Sequence, residues 1–410
     1  MRSLIAFVCF ALCALPVLAW SAPPGDPPMR DVVDHALKVA RMQSLAMAAS
    51  LKDRPGLLPR TVDKDGVLVT CAPEWWTSGF FPGVLWYLYE VHRDTAIASL
   101  AREFSARVES QKYVTDNHDV GFMIFCSFGN GYRLTHDPVY REVIRTAATS
   151  LSTRYDQRVG AIRSWGPSAW TKQWQYAVII DNMMNLEILE WTAKECGRPE
   201  FDRIARTHAT TTMKNHFRDD LSTFHVVSYD TVTGRPEKKQ TAQGYSDGSM
   251  WARGQAWGLY GFTMMYRETG DSAYLRRAEG MADLIIHHPR FPADGIPYWD
   301  FDAPGIPDEF RDASAGAIMC SALLELERYA DTAKARVYHA VAEKQLRTLA
   351  SSAYLAAEGT NAHFILRHSV GSKPAGTEVD VPLTYADYYF VEALVRYAKR
   401  SAAVGISHPQ

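Results

Sequence analysis

Hydrophobic and polar positions along the chain alternate between two kinds of segment. Six segments open on a small or polar residue and continue as aromatic-rich apolar runs with little charge in their first turns, as helices packed on most sides do. The first runs from Gly79 through Phe80 and Trp86 to Tyr89, and the second from Gly121 through Phe122 to Tyr132. The third is Asp181-Asn182-Met183-Met184-Asn185-Leu186, and the fourth runs from Gly254 through Trp257 and Tyr260 to Phe262. Ser314 to Leu326 and Ala386 through Tyr389 to Tyr397 complete the set. Between them lie segments with apolar residues at helical spacing and Arg, Glu and Lys on the opposite face: 96–110, 138–155, 200–216, 272–287 and 333–350. Residues 29–48 supply a sixth amphipathic partner.

Six buried helices alternating with six amphipathic ones predict an all-α fold, an (α/α)6 barrel of six inner and six outer helices, over a single domain at residues 29–400. An open solenoid would show capping repeats and a stricter period. Turn signals such as Thr269-Gly270-Asp271 and Cys196-Gly197-Arg198-Pro199 separate the pairs. Alternation at His225 to Tyr229, followed by a Thr-Gly turn, predicts a short strand.

The chain's start reads differently. Arg2, the apolar stretch from Leu4 to Leu18 and Ala19-Trp20-Ser21 have the layout of a cleaved signal peptide over residues 1–21. The Pro-rich residues 22–28 follow as a flexible lead-in. No later run is apolar and long enough for stable membrane insertion, so the mature protein is expected to be periplasmic or secreted. Export permits disulfides, and Cys71, Cys126, Cys196 and Cys320 allow three pairings. Cys126 and Cys320 fall in apolar helical runs, where buried free thiols are expected.

Composition changes the picture at two points. A net charge of -2 speaks against nucleic acid as a partner, which would call for a strongly basic face. Eleven Trp and twenty Tyr exceed the needs of a helical core, and rings with a polar edge suit stacking on sugars. The sequence sets no oligomeric state.

Chemistry-bearing residues collect at the starts of the apolar segments, which a barrel of hairpins gathers at one end of its axis. Trp75-Trp76 precede Gly79, His118-Asp119 precede Gly121, and Trp251 and Arg253 precede Gly254. Asp312 and Asp387 sit where helix N-caps also fall, since Asp accepts bonds from free backbone N–H groups. Asp181 follows Val178-Ile179-Ile180, where desolvation raises a carboxyl toward the range of a general acid. Gly121, beside Asp119, is expected to admit substrate or backbone closely. Arg253, flanked by Trp251 and Trp257, is expected to hold a carboxylate in fork geometry, with a structural ion pair as the alternative.

Six longer motifs then coincide with a known pattern: Trp76-Thr77-Ser78-Gly79-Phe80, His118-Asp119-Val120-Gly121-Phe122, Ile180 to Leu186, Gln243-Gly244-Tyr245-Ser246-Asp247, Trp251 to Gly258, and Tyr385 to Phe390. Over nearly all of the mature chain the sequence resembles the unsaturated glucuronyl hydrolases of glycoside hydrolase family 88. The resemblance implies an (α/α)6 barrel and a hydrolysis that protonates and hydrates the C4=C5 enol ether of a lyase-generated uronic acid. It implies Asp181 as general acid/base and Asp119 as second essential acid. It implies Trp76, His118, Trp165, His225, Gln243, Arg253 and Trp257 as the lining of the uronate pocket, and a disaccharide-sized unsaturated oligosaccharide as substrate.

Ser369, Ser372 and Lys373 lie in a loop that contacts the leaving sugar in related enzymes and are candidates for a sulfate, a solvated connection being the alternative. Gly248 and Ala315-Gly316 depart from the family pattern without touching the two acids. No cofactor or metal is implied, since His287-His288 and His363 lack metal-site spacing. The alternatives are an unsaturated rhamnogalacturonyl hydrolase, a helical-barrel glycosidase acting on saturated sugars, and a non-catalytic carbohydrate-binding protein. Retention of both acids counts against the last.

Overall fold

The computed structural model describes residues 25–405. The signal-peptide pattern of residues 1–21 and the start of the lead-in lie outside the described residues. From Met29 on, helices dominate: α1 (Met29–Ser50), α2 (Phe80–His92), α3 (Thr95–Val108) and α4, which is π-helical over Gly121–Gly129 and α-helical over Asn130–Thr135. They continue with α5 (Pro138–Ser152), α6 (Glu187–Cys196, entered by a 3-10 turn at Ile180–Asn185), α7 (Pro199–Asn215) and α8 (Ala252–Thr269). The last four are α9 (Ser272–Ile286), α10 (Ala313–Leu326), α11 (Thr332–Leu349) and α12 (Thr384–Gly405).

The even-numbered helices form a closed inner ring: α2 packs on α4, α4 on α6, α6 on α8, α8 on α10, α10 on α12, and α12 back on α2. Closure of α12 on α2 decides against an open solenoid. All of α10 is buried, as is α8 from Ala252 to Met265, whereas α5, α7 and α9 bury one stripe each. The ring is tight where side chains are smallest. A Cβ at Gly83 would overlap the Tyr388 ring of α12 and the Cys126 carbonyl oxygen of α4, so this glycine sets the spacing of three neighbouring inner helices.

The connections at the two ends of the barrel differ. At the C-terminal ends of the inner helices the chain reverses in a few residues. Helices α2, α4, α6 and α8 stop on a left-handed residue, at Arg93, His136, Gly197 and Gly270. Helices α3, α5, α9 and α11 then start on an Asp whose side chain accepts from the backbone two residues on: Asp94 from Ala96, Asp137 from Val139, Asp271 from Ala273 and Asp331 from Ala333.

The return connections are long, and all run to the inner-helix N-terminal end. There they form four small antiparallel sheets: β1 (Leu58–Val62) with β2 (Leu68–Cys71), β3 (Tyr155–Asp156) with β4 (Ala161–Ile162), β5 (Ala177–Ile179) with β6 (Val226–Tyr229) and β7 (Pro236–Gln240), and β8 (Ser369–Ser372) with β9 (Thr377–Val381). Strand β6 is the one the sequence indicates; the others are two to five residues long and lack a legible alternation. Cys71, Cys126, Cys196 and Cys320 are free thiols, Cys71 and Cys320 being buried.

The cap at Asp331 bonds both Ala333 N and Lys334 N, at 2.9 and 3.0 Å. Asp331→Ala is expected to lower unfolding stability by about 1 kcal/mol, and Asp331→Asn, which keeps the acceptor, by clearly less. Chemical denaturation of the two variants against wild type checks this, and equal losses would remove the cap as cause.

Candidate active site

Asp181 sits two residues past the end of β5. Pairing of β5 with β6 and the Ile180 N to His225 O bond at 3.0 Å bring His225 beside it, with Nε2 3.8 Å from Asp181 Oδ2. His225 Nδ1 accepts from the backbone of Ala242 and Gln243, at 3.1 and 3.3 Å. Those bonds place the ring's proton on Nε2, the nitrogen facing Asp181. Burial pushes the imidazole pKa well below its usual value, so the ring is a neutral donor and does not form an ion pair. Trp251 covers its face at 4.4 Å.

Asp181 itself is mostly enclosed, and its Oδ2 has no hydrogen-bond partner. Burial raises its pKa from 3.8 to about 7, against the opposing pull of Arg253 and Trp257. Asp119 approaches on the connection into α4. Its carboxyl is also pushed up, by burial first and by the Asp181 charge second, with Asn117 and Asn185 favouring ionisation. Asn117 Oδ1 holds the Asp119 backbone N–H at 3.0 Å. His118 Nε2 lies 3.3 Å from Asp119 Oδ1, but burial brings the imidazole pKa down to about 3, so no charged pair forms. Two carboxyls that both resist ionisation are thus set at one place, with neutral imidazoles around them.

Arg253 departs from the expected geometry. Its Nη1 meets Asp312 Oδ2 at 3.2 Å and Val370 O, while its Nη2 donates to Gly371 O at 2.6 Å and Gln243 Oε1 at 2.7 Å. The guanidinium fork is occupied within the protein, which corrects the open fork expected from sequence. Its Nε is buried without a partner. The bond from Arg253 also turns the Gln243 amide nitrogen away from the guanidinium. Asp312 is both the N-cap of α10, through Ser314 N, and the partner of Arg253. Asp387 does not cap α12; it accepts from Ile365 N and Leu366 N, at 2.9 and 2.8 Å, and fixes the stretch before β8.

The aromatic residues divide by depth. Trp257 is fully buried, with its ring 5.3 Å from Phe122. Trp76 is partly exposed over the same layer, 5.6 Å from Phe122 and 5.0 Å from Tyr385. Trp165, also partly exposed, stands 5.8 Å from His225. In β8, Ser369 is buried with an unpartnered hydroxyl, and the strand is bound to the site through the Val370 and Gly371 carbonyls. Ser372 is half-buried, and Lys373 lies over the Phe310 ring at 4.3 Å, at the outer edge of this group.

Asn185 was not singled out from sequence. It stands one helical turn after Asp181, its Oδ1 accepts from Phe122 N at 2.9 Å, and it fills the space a Cβ on Gly121 would need. Gly121 therefore admits the Asn185 side chain together with its backbone Cα, the close backbone approach expected there. Its (i, i+4) spacing from Asp181 within one polar-apolar run was the available signal.

A family model described as Glycosyl Hydrolase Family 88 matches residues 60–404. The chain belongs to glycosyl hydrolase family 88. It is a glycoside hydrolase, built on the same fold as the solved family members. It is 47% identical to an unsaturated glucuronyl hydrolase of Formosa agariphila over 78% of this chain and 79% of that protein. It is 34% identical to an unsaturated chondroitin disaccharide hydrolase of Streptococcus pneumoniae over 79% of this chain and 82% of that one. The crystal structure of an unsaturated glucuronyl hydrolase specific for heparin superposes with a TM-score of 0.88 at 47% identity, covering 91% of this chain and 98% of that one.

The raised pKa of Asp181 has a stability consequence of defined sign. Between pH 4 and about 7 the folded protein holds a proton there that the unfolded chain releases, so this group's contribution to stability is full at low pH and is lost as pH rises. Asp181→Asn removes that dependence. The melting temperature of Asp181→Asn minus that of wild type is expected to rise between pH 4 and pH 8. A flat difference in thermal melts across that range would contradict a buried, proton-retaining carboxyl.

Proposed function

We propose that this hydrolase removes the non-reducing-end 4,5-unsaturated uronic acid from lyase-generated, glycosaminoglycan-type oligosaccharides. The observation carrying the reading is Asp181: enclosed, held near half-protonation at neutral pH, and with an unpartnered oxygen facing the site. In this reading the Asp181 carboxyl donates its proton to C4 of the enol ether. Positive charge develops at C5 and the ring oxygen, and a water adds at C5 as the Asp181 carboxylate takes back a proton. The hemiketal so formed opens and releases the sugar that was joined through the glycosidic bond. Because the anomeric carbon is not attacked, the separation of the two carboxyls carries no stereochemical meaning here.

Asp119 holds ring hydroxyls, and the Asp181 charge beside it disfavours loss of the Asp119 proton. Neutral His225 directs its Nε2–H toward the same oxygen. Trp76 and Trp165 supply faces for the flattened, unsaturated ring, and Arg253 Nε with the Gln243 amide nitrogen meets the uronate carboxylate. Ser369 and Ser372, with Lys373 farther out, face the leaving sugar. The names of the relatives support this substrate class, as does an Asp-to-Asn variant of a Streptococcus agalactiae unsaturated glucuronyl hydrolase solved with dGlcA-GalNAc6S, 29% identical to this chain. The signal-peptide pattern of residues 1–21 supports action outside the cytoplasm.

Unsaturated disaccharides from chondroitin, hyaluronan, heparin and pectin lyase digests test the reading through loss of the ultraviolet absorbance of the C4=C5 bond. Wild type is expected to bleach one or more of the glycosaminoglycan sugars, and Asp181→Asn to be slower by about 10²–10⁴-fold. Retained absorbance with every sugar and folded protein would defeat the reading. Because the donor must be protonated, kcat/KM is expected to fall about tenfold per pH unit above pH 7. A profile that rises through that range would assign the proton to another group.

A further inference from the structure

The connection between β4 and β5, residues 163–176, leads directly to Asp181 and carries three indoles that touch one another. Trp165 lies 4.7 Å from Trp170 and 5.4 Å from Trp174, and Trp170 lies 6.0 Å from Trp174. Trp174 is the anchor: it is buried, and its Nε1 donates to Gln240 Oε1 of β7 at 2.9 Å. Trp165 is the link to the acids. Its backbone bridges to Asn117, which holds the Asp119 N–H, and its ring meets His225. Trp170 is 56% exposed.

That exposure is held by a built turn. Thr171, buried beneath it, receives the Ser168 N–H at 2.8 Å on its hydroxyl, which donates to Gly166 O at 2.8 Å; Trp174 N donates to Thr171 O at 2.9 Å. An indole kept in water costs hydrophobic free energy, and this one gains no hydrogen bond in the structure to offset it. A ring with an apolar face and a polar edge suits the C–H face of a sugar whose hydroxyls stay solvated. The order of groups leading out from the acid is Asp181, His225, Trp165, Trp170. Trp170, reached through Trp165, stands one ring farther from Asp181 than the pocket assigned to the reacting sugar, and because that sugar is the non-reducing end, the rest of the substrate extends only on the leaving-group side.

We propose that Trp170 is a stacking platform for a sugar beyond the one joined directly to the uronate, so that this enzyme prefers unsaturated tetrasaccharides to disaccharides of the same repeat. The proposal rests on the hydrolase reading above. Trp170 is a specificity residue, acting on the far part of the substrate and not on the reacting atoms.

The test compares kcat/KM for an unsaturated tetrasaccharide and disaccharide of whichever polymer is turned over, in wild type, Trp170→Ala and Trp170→Tyr. The tetrasaccharide-to-disaccharide ratio is expected to fall about tenfold in Trp170→Ala, through KM, and to be largely restored in Trp170→Tyr. An unchanged ratio, or an equal loss on both sugars, overturns the platform while disaccharide turnover leaves the hydrolase reading standing. Calorimetric binding of the same two sugars to Asp181→Asn asks the question without turnover. Tighter binding of the tetrasaccharide, erased by adding Trp170→Ala, supports the platform, and equal affinities overturn it. Failure of wild type to turn over either sugar overturns the hydrolase reading instead.

Discussion

The active-site end of the barrel depends on one buried ion pair, Arg253 with Asp312, of which 2% and none of the respective side chains is exposed. Two ions taken out of water cost several kcal/mol each unless their remaining valences are met. Here all but the Arg253 Nε are met, from four directions. Arg253 on α8 reaches Val370 and Gly371 of β8 and Gln243 before α8, while Asp312 caps α10 through Ser314 N and receives the Val370 N–H. The pair therefore fixes the distance between two inner helices and the loop elements above them. It also sets the electrostatics. Arg253 pulls the Asp181 pKa down, but burial outweighs that pull and leaves Asp181 raised.

The opposite mouth uses the same kind of interaction for a different end. Arg267 on α8 joins Glu187 and Glu325, Arg396 on α12 joins Glu325 and Glu392, and the Tyr87 and Tyr260 hydroxyls close on Glu392. This network spans α2, α6, α8, α10 and α12 around a cavity of about 840 Å³. Between the two charged ends lies an aromatic floor of Phe80, Phe122, Trp257, Tyr385 and Tyr389 in mutual contact. Short turns at the far mouth leave little length to vary. The long returns at the near mouth can carry strands and loops, and every proposed site residue lies on them or on the first two turns of an inner helix.

What the sequence revealed follows from which interactions are local. The inner helices were legible because a run such as 313–326 is apolar on all sides, and the outer ones because their polar faces recur at helical spacing. The repeated left-handed residue followed by a capping Asp, as at Arg93-Asp94 and His136-Asp137, was equally local but is masked by side-chain variety at the left-handed position. The small sheets were not legible, since strands of a few residues pair with partners far along the chain. The occupied fork of Arg253 was hidden for the same reason: Asp312 is 59 residues away. Asp387 looked like a cap because it stands near a helix start, yet its carboxyl satisfies a distant backbone turn. Motif reading located the acids; only the fold shows how few partners Asp181 has.

The scarcity of partners also bears on how an anionic sugar enters. A uronate brings a full negative charge into a pocket that already holds two carboxyl groups, and with both ionised the three charges would repel at low effective dielectric. Burial has shifted the balance beforehand: Asp119 and Asp181 are pushed toward their neutral forms, and His118 and His225 toward theirs. The substrate's charge acts in the same direction, disfavouring ionisation of each acid further. Binding an anionic sugar there and retaining the proton on Asp181 are then coupled, because each favours the other by the same free energy. A pocket lined with protonated imidazoles would bind the carboxylate more strongly, but it would draw the proton off Asp181. In the proposed reaction, keeping the site neutral trades some affinity for a protonated Asp181.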